Sequence, residues 1–168
     1  MAHPLRVQRS RRPGWRKPPG SVMVTRPGPR GNPFTEHSAE KNVELFRLWV
    51  TGEGMHGVLP QKREAILQQL PELRGKRLAC FCSLECPCHG DVLCELANRL
   101  VVPCRISREL REDDERVVTR WLRVIAEDEC AVKGLKIWRP PRIEFGSVDR
   151  TNQIPVLITC DTVPVTMP

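Results

Sequence analysis

Twelve consecutive positions carry four thiols, an imidazole and a carboxylate: Cys80, Cys82, Cys86, Cys88, His89 and Asp91. Half of the chain's eight cysteines stand in this one segment. Thiolates and imidazole nitrogens are zinc ligands, and Cys80, Cys82, Cys88 and His89 add up to a complete tetrahedral shell of three sulfurs and a nitrogen. The spacing argues in part against that use. C-x-C chelates less commonly than C-x2-C, and adjacent Cys88 and His89 need a bent backbone to reach one ion.

The same residues support metal-free chemistry. Cys88 stands just before a helix start, where the dipole lowers a thiol's pKa and favours an anion. Cys88 is then the nucleophile and His89 the acid or base. Asp91 either orients the histidine or is the acidic residue of the helix's first turn. Burial is the third reading, because free cysteine is among the most buried residue types. Cys94, Cys104, Cys130 and Cys160 fit that role best.

These residues need elements to hold them. Lys76 to Cys82 reads as a strand and Asp91 to Leu100 as a helix, so the cluster occupies a strand-to-helix loop, where α/β proteins place chemistry. Ser21 to Thr25 is a second short apolar strand. It leads into Arg26-Pro27-Gly28-Pro29-Arg30-Gly31-Asn32-Pro33-Phe34, whose glycines and prolines exclude regular structure. A helix is predicted from Ser38 to Val50 with Val43, Phe46 and Val50 on its inner face, and another from Pro60 toward Leu73. Two parallel strands would open both loops on one sheet edge. Arg26, Arg30 and Asn32 would then face the Cys/His loop across a crevice, Arg26 gripping a phosphate and Asn32 reading a base or ribose.

The net charge of +7 is unevenly placed. Residues 1–34 hold eight of the 27 basic residues and none of the 20 acidic ones. Such a block attracts phosphate, or serves as a solvated arm. No apolar run approaches the roughly 20 residues of a membrane span, and no apolar segment follows the basic N-terminus as in a signal peptide. A reducing intracellular setting, which disfavours disulfides, is the expectation. Beyond residue 102, Asp113 to Glu127 reads as an amphipathic helix. Leu135 to Trp138, Arg142 to Phe145 and Val156 to Cys160 read as strands between proline turns.

Four stretches taken in order carry a resemblance. They are Gln8 to Arg16, Arg26 to Phe34, Leu73 to Cys82, and Pro87 to Leu93. Together they resemble the uncharacterised bacterial and phage family named domain of unknown function 4326, over residues 6 to about 100. The family commonly has Trp where Arg30 stands and a residue other than cysteine where Cys86 stands. The resemblance implies a site and a phage-like context, and no reaction.

The expected fold is α/β: a small, mainly parallel sheet with flanking helices, plus a C-terminal α+β extension. Residues 1–20 would form a basic arm, 21–102 the core domain and 103–168 the extension. The leading functional expectation is a phage-type accessory protein of the cytoplasm of an infected bacterium. It would bind a nucleotide or nucleic-acid phosphate group between the two loops, with Cys88, His89 and Asp91 available to process it. The rivals are a non-enzymatic, zinc-stabilised nucleic-acid-binding module and a viral protein that binds a host factor.

Overall fold

The computed structural model describes residues 3–107 and 115–165. The chain divides into two compact units that meet in sequence at Ala97 and Asn98.

The first unit is α/β. Its sheet has three parallel strands in the order β1–β3–β2, namely β1 (Arg6–Gln8), β2 (Val22–Met23) and β3 (Leu78–Cys80). Each strand is too short to show a period. Long-range amide bonds fix the register instead: Leu78 N–H donates to Leu5 O, Arg9 N–H to Cys80 O, and Val24 N–H to Ala79 O. Residues 6–8, expected in a basic arm, are therefore an integral strand. Leu5 and Arg6 are buried with it.

Three helices, α1 (Ala39–Thr51), α2 (Pro60–Leu73) and α3 (His89–Ala97), complete the unit. Ser38 caps α1 by accepting from Lys41 N–H, and Gly52 ends it in a left-handed conformation at φ 80° that glycine adopts without a Cβ penalty. Proline at the start of α2 sits where its missing N–H costs nothing. Phe46 and Trp49 from α1, Leu73 from α2, Val92 and Leu93 from α3 and Leu78 from β3 are fully enclosed in one core. Helix α3 begins two residues earlier than expected and stops at Ala97. Leu100 belongs to the next strand.

The second unit is a separate antiparallel sheet, not an extension of the first. β7 (Gln153–Pro164) pairs along one side with β4 (Arg99–Ser107) and along the other with β5 (Leu135–Ile137) and β6 (Arg142–Phe145). Since β4 starts at Arg99, the boundary falls before the expected residue 102. Ile154, Val156, Ile158 and Cys160 alternate inward along β7 with exposed Pro155 and Leu157. Onto that inner face α4 (Glu115–Val132) packs Val118, Leu122, Ala126 and Cys130, a spacing of four that keeps them on one side of the helix. No helix among the described residues is long and apolar enough to cross a membrane.

Candidate functional site

Because β1, β2 and β3 run parallel, the segments after their C-terminal ends emerge on one edge of the sheet. Arg9 and Arg11 follow β1, the Thr25 to Phe34 loop follows β2, and the cysteine loop follows β3. They enclose a cleft of ≈ 310 Å³. Its lining includes Arg11 from the segment after β1, Arg26 and Asn32 from the loop after β2, and Phe81, Cys82 and Cys88 from the cysteine loop. None of the lining residues is acidic.

Phe81 holds the arginines that follow β1. The guanidinium carbons of Arg9 and Arg11 lie 4.5 and 4.7 Å from its ring centroid, within cation–π range. Arg26 is exposed and reaches Phe34 O at 3.4 Å. Its loop is closely packed: a Cβ added at Gly31 would fall 2.8 Å from Arg26 Cγ and 3.0 Å from the Arg26 backbone. Asn32 is buried and committed to its own loop, accepting from Phe34 N–H at 2.9 Å and donating to Asn42 O at 3.0 Å. Both ends of its amide are tied to its own loop, so it shapes the wall of the cleft that it lines. Arg30 does not line the cleft. It lies 3.5 Å from the exposed Glu72 carboxylate.

The cysteines converge at the cleft. The sulfurs of Cys80, Cys82 and Cys88 all lie within 4.8 Å of one another, so these three could hold a metal ion. Cys80 and Cys82 are 3.7 Å apart. The pairing of the C-x-C thiols survives although the strand stops at Cys80. Cys86 is exposed and outside the group.

Cys88 immediately precedes α3, and its sulfur accepts from Gly90 N–H at 3.3 Å. Its place at the helix start favours a lowered thiol pKa, but the cluster reverses that order. The three thiols titrate together, and the hydrogen bonds within the group lower Cys80 and raise Cys82 and Cys88.

His89 is buried with its ring edge-on to Phe46 at 5.4 Å. Its Nε2 lies 2.7 Å from Val24 O, and a carbonyl only accepts, so Nε2 carries the proton. Nδ1 is then the lone-pair nitrogen, 3.8 Å from Cys88 Sγ. Burial lowers the histidine's pKa and holds the ring neutral. The ring thus presents a lone pair to Cys88, although Nδ1 lies outside the three-sulfur group.

Asp91 does not orient His89. Its Oδ1 accepts from His3 N–H at 2.8 Å and pairs with Arg6 Nε at 2.8 Å. Burial raises its pKa, opposed by the His3 amide and the Arg6 guanidinium. The rest of that guanidinium spans the cysteine loop: Nη1 donates to Cys82 O and Ser83 O, and Nη2 to Leu84 O and Cys86 O, at 2.9 to 3.3 Å. Counted by sequence among the phosphate-attracting charges of an arm, Arg6 is a buried strut.

The family model described as Domain of unknown function (DUF4326) matches residues 7–99, more than half of the chain. The chain belongs to that family. Every residue lining the DUF4326 cleft falls inside the match, whereas nearly all of the second unit lies beyond it. No curated protein and no solved structure matches the chain. Sequence reading passed over Arg11, Phe81 and Arg6 in this DUF4326 domain. The quoted stretch Gln8 to Arg16 was the signal available for Arg11, and nothing local marks Arg6 as buried.

Proposed function

We propose that the first unit binds a nucleotide, or the phosphate group of a nucleic acid, in the cleft between the Thr25 to Phe34 loop and the cysteine loop. The observation that carries this reading is the charge of the lining: Arg11 and Arg26 with no carboxylate among the residues that enclose it. A concave site of ≈ 310 Å³ suits a small ligand. A guanidinium with no competing acid in the cleft keeps its fork of donors for a phosphate. Asn32 and Gly31 serve as the frame of the wall.

The test is titration of the full chain with nucleoside monophosphates. A hydrogen bond to a charged group contributes about 1.5–3 kcal/mol, so Arg11→Ala and Arg26→Ala are each expected to weaken binding roughly 10- to 100-fold. Affinities that stay unchanged in both variants would sink the proposal, as would the absence of binding by the wild-type chain to both nucleotides and short oligonucleotides.

A specific observation favours zinc at the three sulfurs. Tetrahedral zinc with Zn–S bonds near 2.3 Å requires sulfurs about 3.8 Å apart, and Cys80 and Cys82 are 3.7 Å apart. His89 has the tautomer of a ligating histidine, with Nε2–H held by the Val24 carbonyl. Such an ion would be held by Cys80, Cys82 and Cys88 with His89 Nδ1 adjacent. Elemental analysis is expected to find about one zinc per chain, retained in Cys86→Ser and lost in Cys82→Ser. Metal-free protein that folds normally in zinc-containing medium would rule this out.

A further inference from the structure

Helix α4 of the second unit has two apolar faces, and only one of them is used. Val118, Leu122, Ala126 and Cys130 are buried against the sheet. On the opposite side Val117, Trp121 and Val124 are 61%, 47% and 47% exposed, and Ala131 is exposed as well. Positions 117, 121, 124, 128 and 131 follow the four-three spacing of a seam between helices, with Asp128 as its one charged member. The outer face of a helix that packs on one side only is ordinarily polar.

The charges beside this stripe are segregated along the helix. Arg116, Arg120 and Arg123 stand in its N-terminal half, and Glu127, Asp128 and Glu129 in its C-terminal half. This order opposes the helix macrodipole, which favours acids at the N-terminus and bases at the C-terminus. An open hollow of ≈ 760 Å³ lies beside the stripe and meets it at Val124, lined otherwise by Arg116, Thr119, Arg120, Arg123 and Glu127.

We propose that this face docks against the same face of a second copy, with the two α4 helices antiparallel and a two-fold axis at Val124. Parallel pairing would set arginine against arginine and acid against acid. Antiparallel pairing about Val124 sets Arg120 against Asp128 of the other copy, twice by symmetry. It also brings Val117 to Ala131 and Val124 to its own counterpart, with Trp121 of each copy opposite Glu127 of the other. The interface is isologous, so it closes as a dimer and leaves no open face. Val124 is near the middle of the 18-residue helix, so the overlap runs its full length of about 27 Å.

The experiment is sedimentation equilibrium of the full chain over a broad concentration series, with circular dichroism to check folding of each variant. All the substituted residues are solvent-exposed. Wild type is expected to dimerise. Arg120→Asp, which places like charges opposite each other twice, is expected to weaken the dimer about tenfold or more. The double variant Arg120→Asp/Asp128→Arg is expected to restore it to within about threefold, and Val124→Glu to leave monomer. Any of several results overturns the proposal: a wild-type monomer throughout, a dimer indifferent to Arg120→Asp or Val124→Glu, or a double variant no better than the single. Monomeric chain that binds an oligonucleotide through Arg120 would assign the face to nucleic acid instead and overturn it as well.

Discussion

Arg6 Nε lies 2.8 Å from Asp91 Oδ1, an ion pair that joins the first strand of the sheet to the first turn of α3. The same guanidinium donates to four carbonyls between Cys82 and Cys86, so one buried side chain fixes both ends of the cysteine loop. The Arg6 side chain is 0% exposed. Its charge is worth burying only while all of these partners are present.

Removing that charge should therefore be costly. Breaking a buried pair from one side costs about 3–5 kcal/mol, and Arg6→Met is expected to lose that much in urea denaturation of the full chain. Arg6→Lys should recover only part of it, because one ammonium cannot fork to four carbonyls. A loss below about 1 kcal/mol would mean that the loop holds itself together.

Phe81 should matter to the ligand more than to the fold. Phe81→Leu keeps most of the apolar contact but releases Arg9 and Arg11, whose cation–π contacts are worth about 0.5–1 kcal/mol each. Nucleotide affinity measured by titration is expected to fall about two- to fivefold, with a small fall in the denaturation midpoint from the lost cation–π contacts. Arg30→Ala, whose partner Glu72 is exposed, should leave both quantities alone. Gly31→Ala should displace Arg26 and weaken binding, since the added methyl has no room against the Arg26 backbone.

Thiol labelling should separate the cysteines by environment. Cys86 is exposed and is expected to react with maleimide first. Cys94, Cys130 and Cys160 are buried and should react only as the chain unfolds. Added zinc should slow labelling of Cys80, Cys82 and Cys88 and leave Cys86 unaffected. Peptide mass mapping reads each site directly, and equal protection of Cys86 would contradict the assignment.

Alkaline pH should weaken the second unit through Cys160. Burial, with Cys130 beside it, raises this thiol from 9.0 to about 12. A group whose pKa is higher when folded keeps its proton longer in the native state. Its contribution is thus full below pH 9 and declines as pH rises toward 12. Denaturation midpoints are expected to fall over that range in wild type. Cys160→Ala should have a lower midpoint at neutral pH and a flatter alkaline decline.

Much of the first unit was legible in the sequence because its signals are local. Ser38 before a 3.6-residue apolar pattern, and Pro60 at a helix start, depend only on neighbours three or four positions away. The clustering of cysteines around a strand end needed no tertiary information either. Neither did membership in the DUF4326 family, whose model matches residues 7–99. The amphipathic α4 was visible through Val117, Val118, Trp121, Leu122 and Ile125, although Val117 and Trp121 turn out exposed and the helix extends to Val132.

The rest depended on chain segments far apart in sequence. Strands of two or three residues have no period, so β1 became a strand only through amide bonds to β3, about seventy residues away. That pairing turned Arg6 from a free charge into a buried strut and brought Arg11 to the cleft. Tertiary geometry also chose among the cysteines. The sequence supplied thiols at Cys80, Cys82, Cys86 and Cys88, but which three of them converge depends on distances of a few ångström. The residue types alone determined what chemistry the chain can do. Which groups do it was decided by folding, because hydrogen bonding and desolvation act through space and not along the chain.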